Sequence, residues 1–77
     1  SAARRTELRT VAEQLANQIA TRRGATVYVL HGVRPMTDRT LLDALERRFK
    51  KVQPPFACAG GGAYFTEVTA FRVPAAR

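Results

Sequence analysis

Apolar residues in the first part of the chain recur at helical spacing. Leu8, Val11, Ala12, Leu15, Ala16 and Ile19 share one side, and Arg9, Glu13, Asn17 and Gln18 fall between them. The spacing predicts a helix over residues 3–23. Arg22 and Arg23 stand where cations favour the negative end of a helix, and Gly24 is expected as its stop. The pattern then changes. Thr26-Val27-Tyr28-Val29-Leu30-His31 is apolar on both alternate faces, which predicts a strand covered on both sides in a mixed or parallel sheet.

Gly32 to Met36 reads as a loop, because Pro35 keeps Arg34 out of the helical region. Thr37 is the expected N-cap of a second helix over residues 38–50, with Asp38 just inside. Leu41, Leu42, Leu45 and Phe49 stripe one face of it, and Arg47, Arg48, Lys50 and Lys51 make its end basic. Pro54-Pro55 then interrupts regular structure, so a short strand between Val52 and Cys58 is expected only at a sheet edge. Gly60-Gly61-Gly62 is expected as a turn. Residues 63–73 are dense in strand formers, including Tyr64, Phe65, Val68 and Phe71, and Pro74 closes them. The order helix-strand-helix-strand-strand predicts one small α/β domain over residues 1–77, two-layer or sandwich, with a right-handed parallel crossover.

Seventy-seven residues make one domain at most, and 18 Leu, Ile, Val and Phe residues make one thin core. A two-domain enzyme with its own cofactor domain is excluded by size. No cofactor is expected. One cysteine, Cys58, and one histidine, His31, give neither an internal disulfide nor a closed zinc shell. An intracellular, metal-free chain is expected, cytoplasmic or organellar. No apolar run approaches the roughly 18 residues that a membrane span requires.

The charge alters the picture most. Thirteen basic residues oppose six acidic ones, for a net +7, and eleven of the thirteen are arginine. The planar guanidinium fork matches phosphate, so an arginine-dominated excess points to nucleic acid; a solubilising surface is the bland alternative. Arg22, Arg23 and Arg34 fall near the ends of the first helix and first strand. Arg47, Arg48, Lys50 and Lys51 mark the end of the second helix. Arg34 and Arg39 flank the loop after His31-Gly32, which thus combines a titratable ring, a glycine and cations, as a phosphate backbone requires. Gly60-Gly61-Gly62 precedes no helix, so the phosphate-loop and dinucleotide signatures do not apply. Cys58 reads as a structural thiol, and no paired-carboxylate or nucleophile-elbow pattern is present.

From Val27 onward the order resembles an Smr domain, the small MutS-related nuclease-type module. The residues that carry the likeness are Val27-Tyr28-Val29-Leu30-His31-Gly32, the helix through Phe49, Val52 to Phe56, Gly60-Gly61-Gly62-Ala63 and the strand through Val68. Pro55-Phe56 is similar to the branch of that family attached to pentatricopeptide repeats in plant organelles. The resemblance implies a fold related to the C-terminal domain of bacterial initiation factor three, and an RNA or DNA surface. The family opens with a strand carrying Asp-x-His-Gly, which this sequence lacks, and the second glycine of its His-Gly-x-Gly loop falls at Arg34. That leading strand is expected upstream in a longer chain, or else the chain is a divergent, binding-only relative. Little or no cleavage is expected; His31 is the one side chain suited to general acid–base work near neutral pH.

The leading expectation is therefore a basic module that binds RNA, or DNA, through the sugar–phosphate backbone. His31, Gly32 and Arg34 would face the backbone, with Arg22, Arg23, Arg39 and Lys50 widening the field. The alternative is a protein-interaction module that binds a partner by strand addition, at the Tyr64, Phe65 and Phe71 strand or at an unpaired sheet edge.

Overall fold

The structure, a computed structural model, describes residues 1–32, 38–57 and 66–75. Its elements follow the expected order: α1 (Ala2–Ala20), β1 (Thr26–Gly32), α2 (Thr40–Arg48), β2 (Lys50–Val52) and β3 (Thr66–Arg72). α1 starts behind Ser1, whose hydroxyl accepts the Arg4 amide at 3.3 Å. It ends before the expected stop at Gly24, because Thr21 caps it, donating its hydroxyl to the Gln18 carbonyl at 2.7 Å. Arg22 and Arg23 thus lie in the turn beyond the helix.

Gly24 serves that turn and not the helix end. Its φ of 76° lies in the left-handed region, where side chains with a Cβ are strained. The Gly24 amide donates to the Pro74 carbonyl at 3.2 Å and the Val73 amide to the Ala25 carbonyl at 2.9 Å. These two bonds clip the α1–β1 turn to the end of β3. No atom lies within 4 Å of where a Cβ would stand, so a side chain here meets strain without a clash. Gly24→Ala is accordingly expected to cost about 1 kcal/mol and Gly24→Asn distinctly less, measured by urea denaturation. Equal stability of all three proteins would show that the turn relaxes freely.

α2 starts at Thr40, two residues later than Asp38. The Asp38 carboxylate accepts the Thr40 amide at 2.8 Å, and hydrogen bonding from Thr40 holds its carboxyl below the ordinary aspartate value. Asp38 thereby satisfies the first helical amide from the residue ahead of the N-cap, Arg39, which makes no side-chain cap bond; Thr37, the expected N-cap, lies outside the described residues. Helical backbone ends at Phe49, which is extended (φ −126°, ψ 155°), so Lys50 already belongs to a strand. The short strand is therefore Lys50–Val52; it ends at Val52, where the expected one would have begun, and stops before Pro54-Pro55. Prolines lack the amide that a ladder needs.

β3 is the middle strand, and the order is β1-β3-β2 with both pairings antiparallel. The expected parallel pairing of the first two strands does not occur. β1 and β2 do run in the same direction, but β3 has inserted between them. Thr26 opposes Arg72, Tyr28 opposes Ala70 and His31 opposes Glu67; Lys50 opposes Arg72 from the other side.

Register decides which residues share a face. Val27, Val29, Thr69 and Phe71 point to the side covered by both helices. There Phe71, Val73, Leu42, Leu45, Phe49 and Ala16 form the buried core, with Ile19, Ala20 and Leu41 packed against it. Alanines at 12 and 16 let α1 approach α2, and Arg47 bridges to Glu13 at 2.8 Å while Arg48 donates to Asn17. The opposite face carries Tyr28, Leu30, Val68, Ala70, Arg72, Lys50 and Val52. No described element of secondary structure covers it, so β1 is not sheltered on both sides as its sequence suggests. Tyr28 and Leu30 are 41% and 61% exposed.

Candidate nucleic-acid interface

Chain returning from β2 shapes the open face. Phe56 lies 5.1 Å, ring centroid to centroid, from Tyr28, with the rings tilted 52°. Val52 belongs to one edge strand and Tyr28 to the other, so residues 53–56 must cross over the central strand between them. Ala70 sits in the ladder between Tyr28 and Val52 and is wholly buried, as a small side chain beneath that crossing must be. Phe56 itself stays 45% exposed.

The basic residues at this sheet gather at one end. Lys50 and Arg72 are direct cross-strand neighbours and share the open face. Arg22 and Arg23 occupy the turn clipped to the same end through Gly24, Ala25, Val73 and Pro74. All four side chains are exposed, and none forms an ion pair with a described residue. Like charges left side by side without carboxylates repel one another and attract polyanions. The six carboxylates lie elsewhere: Glu7 and Glu13 on α1, Asp38, Asp43 and Glu46 at α2, and Glu67 on the helix-facing side of β3. None is on the open face.

The other expected site residues are placed differently. His31 and Gly32 lie at the far end of β1, about 17 Å from Thr26 at the usual rise per residue. His31 points to the helix side, partly buried, with Nδ1 2.8 Å from the Gly32 carbonyl and Nε2 2.8 Å from the Thr69 hydroxyl. A carbonyl only accepts, so Nδ1 carries the proton, and in the neutral ring the Thr69 hydroxyl donates to Nε2. Both ring nitrogens are thus engaged within the fold. Arg39 is tied to carboxylates of α2, with Nη2 3.3 Å from Glu46 and Nε 3.9 Å from Asp43, and its side chain is only 23% exposed. Lys51 also faces Glu46, at 3.6 Å. Arg34, Cys58, Gly60-Gly61-Gly62, Tyr64 and Phe65 lie outside the described residues.

Of the expected residues, then, Arg22, Arg23 and Lys50 lie towards the same end of the sheet, Arg22 beside Leu15, Gln18 and Ile19 of α1, while His31 and Gly32 stand apart from them and Arg39 is engaged elsewhere. Arg72, Tyr28 and Phe56 complete the surface and were not singled out by their positions in the sequence. A signal was present: Arg72 interrupts an apolar strand, and its parity, once the register is known, matches Tyr28. Among the described residues no three His, Cys, Asp or Glu side chains form a metal-ligand group, and no described helix is long and apolar enough to cross a membrane. Comparison of the chain with protein-family models, with curated proteins and with solved structures finds no match. The likeness to an Smr domain rests on the residues quoted for it.

Proposed function

We propose that this chain is a nucleic-acid-binding module that grips the sugar–phosphate backbone through Arg22, Arg23, Lys50 and Arg72. One observation carries the reading: four exposed cations without carboxylate partners gather at one end of the sheet, while every acidic side chain lies off the open face. A basic surface meant only for solubility has no need of that segregation, because interspersed charges serve solubility as well. Arginine supplies three of the four cations, with a fork that matches phosphate oxygens. RNA is the favoured ligand within the class, in keeping with the Smr resemblance.

Binding without cleavage is part of the proposal. The two nitrogens of His31 are hydrogen-bonded inside the fold, and the nearest carboxylate across the strands is Glu67, its direct ladder partner. A general base must reach the proton it abstracts, and this ring is turned towards the helices.

The test is a salt titration of binding to a single-stranded oligonucleotide. Four phosphate contacts give a log–log slope of about −3, at roughly −0.7 per contact. A slope near zero, or no binding at low salt, would reduce the cations to solubilising surface.

The strand-addition reading has an observation of its own. β1 offers seven residues along an outer edge that pairs with no described strand, and those residues carry no Lys, Glu or Pro. β2, the other edge, is three residues long and starts with two lysines, which is a protected edge. Phe71, however, is wholly buried on the central strand and is not available to a partner.

A further inference from the structure

We propose that the open face of the sheet is a stacking platform for unpaired bases, so that the ligand is a single strand and not a duplex. The proposal rests on the nucleic-acid reading above and deepens it, from how phosphates are held to what lies between them.

Tyr28, Leu30 and Phe56 are three of the largest apolar side chains left exposed among the described residues, and all three share this one face. Aromatic rings are costly to leave in water, at about 25 cal/mol for each Å² of apolar surface. Tyr28 and Phe56 cover one another only in part. Tilted 52° to one another, the two rings stay 41% and 45% exposed. Lys50 and Arg72 stand on the same face, two ladder rows from Tyr28 and Ala70 and next to them on that face, so phosphates held there bring the attached bases over the rings. Every nucleobase has a π-face, and stacking on an exposed ring is open only to bases that are not already stacked in a duplex. A protein partner would also suit the apolar residues, but the flanking cations and the absence of any carboxylate favour a polyanion.

A slot beside the platform strengthens the case. Where β3 runs on past the end of β2, Lys51, Val52, Gln53, Val68, Thr69 and Ala70 line a recess at the sheet edge. Gln53 carries the only side-chain amide there, able both to donate to and to accept from a base edge. A base displaced from the rings therefore meets a mostly polar recess in which Gln53 can pair with its edge.

The experiment compares four fluorescein-labelled ligands by anisotropy with the intact chain: a ten-nucleotide RNA, the matching DNA single strand, the matching duplex, and an abasic strand of equal charge. Either single strand is expected to bind at least about tenfold more tightly than the duplex or the abasic strand. Tyr28→Leu and Phe56→Leu are each expected to weaken single-strand binding by about five- to a hundredfold and leave duplex binding unchanged, while Tyr28→Phe retains it. Both side chains are substantially exposed, so the variants should fold. If they do not, the abasic ligand decides the matter on the unaltered protein. Equal affinity for all four ligands, with the salt slope intact, would overturn the platform and leave the phosphate grip standing. No binding to any of them would overturn both.

Discussion

Phe71→Ala should remove about 3–5 kcal/mol of stability, the largest effect of any single substitution in this domain. Phe71 is 0% exposed at the centre of the middle strand, and the core residues of both helices gather against it. Truncating it leaves a cavity flanked by elements that cannot all close in, because β3 is held on both sides by ladder hydrogen bonds. At about 0.05–0.15 kcal/mol per residue, a chain of 77 residues has roughly 4–12 kcal/mol in total. The variant should therefore be close to half unfolded at the low end of that range, with a urea midpoint far below that of the parent. Phe71→Leu preserves most of the volume and should cost about 1–1.5 kcal/mol. A loss under 1 kcal/mol for Phe71→Ala would mean that the helices do not lean on the middle strand as described.

Removing the four gathered cations together should nearly abolish the salt-dependent part of binding. With Arg22, Arg23, Lys50 and Arg72 all changed to Ala, the log–log slope should flatten towards zero. Four contacts at about −0.7 each, taken between 1 M and 50 mM salt, correspond to between three and four decades of affinity. A loss of roughly a thousandfold at 50 mM is thus expected, with the thermal midpoint little changed, because all four side chains are exposed. Arg4, Arg5 and Arg9 on the exposed first half of α1 provide the comparison. Replacing those three with Ala removes similar charge from another place and should cost well under a tenth as much in affinity. Equal losses per charge in the two variants would mean that the protein attracts nucleic acid by net charge, with no site.

The legible parts of this fold are those that local pattern controls. α1 announces itself by spacing, and β1 by a run too rich in β-branched and aromatic residues for anything else. β2 has no such pattern, because Lys50 and Lys51 carry no apolar alternation and the edge-strand signal of Pro54-Pro55 lies just beyond it. Its residues become a strand through pairing with Lys50 opposite Arg72, a tertiary fact. The middle position of β3 has no local signature at all. The same limit applies to the site. Arg22, Arg23 and Lys50 were visible as basic residues, but their common location depends on the clip between Gly24 and Pro74 and on the ladder register. Tyr28 and Leu30 looked like evidence for a second covering layer, since an apolar face is normally a buried face. Here the two alternate faces of β1 are apolar for different reasons, one for the core and one, on our reading, for a ligand. His31 shows the opposite case, where a suggestive sequence position turns out to be a ring satisfied by its neighbours.

α1 has one more consequence. Residues 1–10 are all exposed, the first buried side chain is Ala12, and the first turn carries arginines at the positive end of the helix dipole. Short-range bonds hold this stretch: the Thr6 hydroxyl donates to the Ala2 carbonyl and the Thr10 hydroxyl to the Thr6 carbonyl, at 3.1 and 3.0 Å. The described tertiary neighbours of this stretch are few: Leu8 and Val11 flank a recess shared with Asp38, Thr40 and Leu41. One continuous helix therefore spans two regimes of amide protection. Amides near Ala16 exchange with solvent only when the domain opens as a whole, whereas those before Ala12 exchange by local fraying, at the free-energy cost of a few isolated helical turns.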